Sequence, residues 1–181
     1  MSRLIKIFTE ADIIAEYVGT PIGKLIQYHN FNEKFSSYDN ASLLIGMCMD
    51  HRKRLNIPKR FAYIIRAGGA NLKYSEFNIS YAIGVGKIKH IALIGHNNCG
   101  MANIHERKNE FIYGLVQNAG WGKEKAEEHF NNSIPNFEIN NEIDFILKQT
   151  TQLRENYPKI VIAPLMYSVD DNKLYLINEQ K

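Results

Sequence analysis

Short, continuous apolar runs followed by polar residues dominate the hydrophobic pattern of this chain. Residues 43–47 (LLIGM) and 91–95 (IALIG) are two such runs, and residues 61–66 (FAYIIR) form a third. A short run without helical periodicity is typical of a strand that is buried on both faces, as in a parallel sheet. We therefore predict strands over residues 43–48, 61–66 and 89–95.

Helical patterns lie between and around these strands. Ser75 and Glu76 can begin a helix that ends at Gly86, so a tight turn at residues 67–70 and one helix join the second and third strands. This order of strand, helix and strand favours a parallel sheet. Further helices are predicted after Thr9, from Thr20-Pro21, and over 99–107, 110–130 and 142–156. Residues 131–141 are predicted to be turn-like. Residues 160–163 predict a late strand, and residues 166–177 predict a terminal hairpin.

Length and composition indicate a single α/β domain that spans residues 1–181. The chain is long enough to bury a sizeable core, and its 45% hydrophobic and 23% charged residues are usual for a globular protein. Residues 1–40 have apolar faces that lie outside the strand pattern. We expect this helical arm to dock on another surface, for which a partner subunit is suitable.

Charge and hydropathy argue against nucleic acid and against a membrane as partners. The net charge is +3 without a run of five basic residues, so no nucleic-acid partner is expected, and the basic group at 51–54 is interpreted as a solvated strand exit. No apolar stretch approaches the ~18 residues that span a membrane, so no membrane partner is expected. Charges near the amino terminus argue against a secretory signal, and two cysteines fit a reducing compartment, so the cytoplasm is the expected location.

Both cysteines of the chain stand at or just after the ends of predicted strands. Cys48 ends the first strand, and His96 and Cys99 follow the third. Strand ends of an α/β sheet collect ligands, and thiolate and imidazole are ligands that zinc prefers. We therefore predict a zinc site formed by Cys48, His96 and Cys99, whose fourth position is open or filled by a carboxylate. The alternative is two unrelated buried cysteines and one hydrogen-bonded histidine.

Asp50 and Arg52 make this candidate site more specific. In an extended segment the side chains of Cys48 and Asp50 lie on the same side, so the carboxylate is within reach of the metal. Arg52 can hold that carboxylate in a bidentate ion pair. Asp50 would then accept a proton or hydrogen bond from a water on zinc, or bind zinc itself. A surface ion pair of little energetic value is the alternative.

Cys48-Met49-Asp50-His51-Arg52 and His96-Asn97-Asn98-Cys99-Gly100, with a glycine-rich turn between them, resemble the motifs of the β-class carbonic anhydrases. The resemblance is closest to the short prokaryotic branch and covers residues 40–105 best. It implies a mostly parallel central sheet with an antiparallel edge strand, flanked by helices. It also implies a homodimer or higher homo-oligomer that exchanges amino-terminal helices.

The same resemblance implies a zinc lyase that reversibly hydrates CO2 to bicarbonate and a proton. Cys48, His96 and Cys99 match the Zn2+ ligands, and Asp50 and Arg52 match the catalytic pair that orients zinc-bound hydroxide. The turn Arg66-Ala67-Gly68-Gly69 resembles the family's Arg-Asn-Ala-Gly turn, which assigns Gly68 and Gly69 to substrate binding. The asparagine of that turn is absent here, and His51 replaces a common serine and is a candidate proton shuttle.

Two other functions fit the same residues. A zinc site of this kind could hydrolyse COS or CS2, which are linear molecules like CO2. The chain could also be a non-catalytic zinc-binding relative that acts as a scaffold or regulator, if Asp50 permanently filled the fourth zinc position.

Overall fold

The computed structural model describes residues 3–180 and contains one six-stranded sheet. Its strands are β1 (Leu4–Ile5), β2 (Leu43–Cys48), β3 (Ala62–Ala67), β4 (His90–His96), β5 (Val161–Ser168) and β6 (Lys173–Ile177). They lie in the order β1-β6-β5-β4-β2-β3. Strands β5, β4, β2 and β3 are parallel to one another. At the other edge β6 pairs antiparallel with β5, and β1 pairs antiparallel with β6. The predicted α/β fold class is confirmed, including its antiparallel edge.

The α-helices of the described chain are α1 (Pro21–Phe31), α2 (Glu76–Gly84), α3 (Lys108–Ala119), α4 (Lys123–Phe137) and α5 (Glu142–Asn156). None of the helices between residues 3 and 180 is long and apolar enough to cross a membrane. Short 3-10 turns cover residues 10–12, 68–70 and 104–107.

Strand β2 contributes side chains to two separate cores, one on each face of the sheet. Leu43 and Ile45 are buried in the core that includes the apolar face of α1. Leu44 and Cys48 are buried in the other core, with residues of α2 and α5. This alternation follows from the two-residue period of a strand. It places the Cys48 thiol on the face that α2 and α5 cover.

Several predicted elements have different bounds in the structure. The single helix expected over 110–130 is two helices, because Gly120 adopts φ +68° and a left-handed residue ends a right-handed helix. Helix α4 then continues into the segment expected to be turn-like, with Pro135 in its last turn. After Thr9 only a 3-10 turn forms, and the Asp12 carboxylate accepts hydrogen bonds from the amides of Phe8 and Thr9. The late strand and the first strand of the terminal hairpin are one element, β5.

The amino-terminal segment lies on the chain's own sheet. Strand β1 pairs with β6, and α1 packs into the core on one sheet face. The buried Asn30 side chain donates to the carbonyl oxygen of Leu174 at 2.8 Å and accepts from its amide at 2.9 Å, which fixes α1 to β6. Phe8 and Val18 remain 76% and 63% exposed. The role of residues 1–40 in dimerisation stays a prediction.

Candidate metal centre

The three predicted metal ligands meet at one end of the sheet. Strands β2 and β4 are parallel neighbours, so Cys48 and His96, their last residues, end side by side. The turn after β4 returns Cys99 to the same place. One ligand atom from each residue lies within 4.8 Å of the others, and all three residues are buried. The chain therefore brings together a group that could hold a metal ion.

His96 is oriented so that one ring nitrogen is free for a ligand. Its Nδ1 lies 2.8 Å from the carbonyl oxygen of Asn97. Because a carbonyl can only accept, Nδ1 carries the proton and Nε2 carries the lone pair. Nε2 is buried without a hydrogen-bond partner among residues 3–180. An unsatisfied imidazole nitrogen beside two sulfur atoms fits a zinc ion, whose histidine ligands are oriented by such carbonyl contacts.

The two cysteine sulfur atoms share a hydrogen bond and form no disulfide. Their Sγ atoms are 3.9 Å apart. The hydrogen bond from the Cys99 thiol lowers the pKa of Cys48 well below its usual range. The same hydrogen bond, together with burial, raises the pKa of Cys99. One proton between two sulfur atoms is thus the favoured state of this pair, and a divalent cation is the kind of ion that would replace it.

Asp50 is held beside this cluster by Arg52. Arg52 Nη2 donates to Asp50 Oδ2 at 2.6 Å, Arg52 Nε donates to Oδ1 at 3.0 Å, and the Arg52 amide also donates to Oδ1 at 2.9 Å. These hydrogen bonds hold the pKa of Asp50 far below its usual range, and the bonds from the Arg52 side chain have the largest effect. A further bond from Arg52 Nη2 to the carbonyl oxygen of Asn98, at 2.8 Å, ties the pair to the turn after β4.

The distance from the ion pair to the ligand cluster is short. Asp50 Oδ2 lies 3.8 Å from His96 Nε2, the nitrogen that is free for a metal. The Asp50 side chain is only 14% exposed, whereas that of Arg52 is 42% exposed. The carboxylate is therefore an ionised, fixed hydrogen-bond acceptor at the edge of the cluster.

The glycine-rich turn after β3 lies against the same cluster. Cys48 pairs with Ala67 in the β2–β3 ladder, and Gly68 and Gly69 follow directly. A Cβ atom on Gly68 would lie 3.1 Å from Met101 Sδ, two residues beyond Cys99, and Gly69 has a φ of +65°. Glycine suits Gly68 because of this close approach and Gly69 because of its left-handed backbone. Their assignment to substrate binding stays a prediction.

Three features of the surroundings were not expected from the sequence. Lys53, in the basic group interpreted as solvated, is 2% exposed, whereas His51, Arg52 and Arg54 are exposed. The Glu142 carboxylate accepts from the Cys99 amide at 3.2 Å. Asn97 holds the turn after β4 through hydrogen bonds with Val169 and Asp170. No local pattern indicates these contacts, since each depends on a distant part of the chain.

Comparison with known proteins identifies the family. The sequence model of the carbonic anhydrase family matches residues 62–173, which is more than half of the 181-residue chain. The chain belongs to the carbonic anhydrase family. The resemblance to the β class is confirmed, and the chain is an enzyme of this class. The matched region contains His96 and Cys99, whereas Cys48, Asp50 and Arg52 precede it.

Solved structures show the same fold. A carbonic anhydrase from Glaciozyma antarctica is 21% identical, with a TM-score of 0.61 over 87% of this chain and 96% of that one. A β-carbonic anhydrase from Trichomonas vaginalis is 22% identical, with a TM-score of 0.61 over 84% and 92%. A carbon disulfide hydrolase in its apo form is 20% identical, with a TM-score of 0.55 over 92% of each chain. A comparison with curated proteins finds no match.

Proposed function

We propose that this carbonic anhydrase family member is a zinc enzyme that reversibly hydrates CO2, so that CO2 and water give bicarbonate and a proton. The observation that carries the proposal is the buried Cys48–His96–Cys99 cluster with its free Nε2, 3.8 Å from the Asp50 carboxylate. The carbonic anhydrase family match supports the reaction.

Cys48, His96 and Cys99 would hold the zinc ion. Two thiolates balance the charge of Zn2+, and the neutral imidazole adds none, so the bound site is neutral and tolerates burial. Zinc in such a site lowers the pKa of a bound water and supplies a nucleophile near neutral pH. Three nitrogen and sulfur ligands would leave a fourth position that a water could take.

Asp50 and Arg52 would orient the reacting water. The low pKa of Asp50 keeps it ionised, so it accepts hydrogen bonds and has no proton to donate. The side chain and the backbone amide of Arg52 both donate to the Asp50 carboxylate and occupy part of its lone pairs. A water beside the cluster can therefore donate to this carboxylate from one direction. Holding the water in one orientation lowers the entropy that the attack on CO2 costs. Gly68 and Gly69 would border the substrate beside that water.

The deciding experiment is stopped-flow CO2 hydration by zinc-loaded protein, scanned from neutral to mildly alkaline pH, with zinc measured by elemental analysis. We expect about one zinc per chain and turnover that rises with pH, because the reacting water must lose a proton. Cys99→Ser, which removes a thiolate ligand, should lose both zinc and turnover. A zinc-loaded wild type that does not exceed the buffer rate would contradict the proposal.

Hydrolysis of CS2 or COS is the second candidate function, because the fold is shared with a carbon disulfide hydrolase. The same cluster and the same Asp50 would serve that reaction. Sulfide release from CS2 or COS, compared with CO2 hydration on one zinc-loaded preparation, distinguishes the two functions. The non-catalytic alternative requires neither activity.

We also propose a homodimer or higher homo-oligomer in the cytoplasm. Exposed Phe8 and Val18 in residues 1–40 support a contact between subunits. Sedimentation equilibrium should give at least twice the 20.8 kDa chain mass, and a mass near 20.8 kDa would contradict the proposal.

A further inference from the structure

Lys53 is a buried cation beside the candidate metal centre for which the proposed chemistry gives no role. It is 2% exposed, and its Nζ has no hydrogen-bond partner among residues 3–180. An ammonium group removed from water without a partner is energetically costly. Its neighbours Arg52 and Arg54 are exposed, so burial is specific to this position.

The charges around Lys53 are those of the candidate site. Burial lowers the pKa of Lys53 below its usual value and Arg66 adds to this shift, whereas the negative charges of Cys48, Asp50 and Cys99 oppose it. Arg66 donates to the carbonyl oxygens of Lys53 and Cys48 at 3.3 and 3.4 Å. Arg66 therefore ties the backbone of Lys53 to that of the ligand Cys48, and the buried Lys53 side chain interacts electrostatically with both sulfur ligands and with Asp50.

A charge inventory with zinc bound leaves Lys53 unmatched. The two thiolates balance Zn2+, and Asp50 is paired with Arg52 through three side-chain hydrogen bonds. The Glu142 carboxylate keeps its negative charge, because the Cys99 amide that it accepts from is neutral, and the Arg66 guanidinium offsets that charge. No acidic side chain of the described residues hydrogen-bonds Lys53 Nζ. The loaded site thus carries a positive excess that a small anion would offset.

We propose that Lys53 is a positioning residue whose buried charge raises the affinity of the metal centre for small monovalent anions, including the product bicarbonate. The inference rests on the proposed function, because bicarbonate is the anion that the reaction forms. The charge acts through space on an anion at the centre. A lysine kept for its aliphatic stem alone would leave anion affinity unchanged.

The test compares Lys53→Met with Lys59→Met, which removes the same charge from an exposed position. Bicarbonate and thiocyanate are titrated calorimetrically into each protein after zinc analysis has established equal metal content. Removing a buried unit charge near the anion should weaken binding of both anions about tenfold in Lys53→Met. Lys59→Met should stay within about twofold of wild type, because solvent and salt screen an exposed charge.

Stability provides a second readout with the opposite sign. Lys53→Met removes an unpaired buried charge and keeps the unbranched shape, so its unfolding temperature should rise while its anion affinity falls. Lys53→Gln serves as a second uncharged variant if the methionine variant does not fold. Equal anion affinity of the wild type and either variant, at equal zinc content, would overturn the proposal.

Binding and turnover separate this inference from the proposed function. Zinc-loaded wild type that binds bicarbonate more tightly than Lys53→Met, yet does not hydrate CO2, would contradict the proposed reaction alone. Wild type that hydrates CO2 but shares its anion affinity with Lys53→Met would contradict the role of Lys53 alone.

Discussion

At the scale of single residues, Arg52 holds the Asp50 carboxylate in place. Arg52 supplies two side-chain donors and one amide donor to the carboxylate, and it also bonds the turn after β4. The arginine side chain is 42% exposed, so solvent screens the pair and its contribution to stability is small. Its value lies in fixing one acceptor direction beside the cluster.

Asp50→Asn tests that role. An amide of the same shape has only one acceptor oxygen, which Arg52 would occupy, so the NH2 group would face the cluster and could not accept from water. We expect zinc content to be retained and CO2 hydration to fall by about a hundredfold or more. The exposed Asp39→Asn provides the matched control. Turnover at the wild-type level with zinc bound would remove Asp50 from the mechanism.

At the scale of elements, one side-chain amide of α1 adds hydrogen bonds to the apolar packing of this helix on the sheet. Asn30 takes the place of a neighbouring strand, because it bonds both the carbonyl oxygen and the amide of Leu174 in β6. These backbone groups lie in a buried part of the structure, where no water replaces a lost partner.

Asn30→Ala should therefore destabilise the protein by about 2–4 kcal/mol, because it leaves two buried backbone groups without a partner. Urea unfolding followed by circular dichroism measures the change in the free energy of unfolding. Asn118→Ala, at an exposed site of α3, should change that free energy by less than about 0.5 kcal/mol. A loss at Asn30 as small as the control's would mean that α1 is held by its apolar contacts alone.

The elements differ in how far their sequence determines them. The runs over 43–48 and 89–95 are buried on both faces and continuous, so their pattern predicts strands whose ends carry Cys48 and His96. The meeting of these ligands follows because the two strands are parallel neighbours. The break at Gly120 and the two-residue β1 depend on contacts made elsewhere in the fold. The burial of Lys53 also depends on distant elements, which the alternation of local residues does not encode.

At the scale of the whole molecule, His29 joins three distant parts of the chain. It lies in α1, and its Nδ1 accepts a hydrogen bond from the backbone N–H of Asn56 at 3.1 Å. Its ring contacts the ring of Tyr167 in β5, with centroids 5.4 Å apart. Because Nδ1 accepts, the ring is neutral in this arrangement. Burial, and then Lys173, lower the pKa of His29 from 6.5 to about 4.

This lowered pKa predicts a specific loss of stability in acid. Between pH 4 and 6.5 the unfolded chain binds a proton at His29 that the folded chain does not, so the free energy of unfolding rises with pH in this window. The stabilisation is complete above the unfolded pKa and disappears as the pH falls through the folded pKa. For a shift of this size, acidification from neutral pH to about 4.5 should cost about 2–3 kcal/mol through His29 alone.

His29→Gln should flatten this pH dependence, since the glutamine oxygen can still accept from Asn56 but does not titrate. Urea unfolding at pH 7 and pH 4.5 gives the difference for each protein, and comparing differences removes any loss that the variant has at both pH values. His51→Gln, at an exposed histidine, should retain the wild-type difference. If His29→Gln and wild type lost equal stability between the two pH values, the protonation of His29 would not be what weakens the fold in acid.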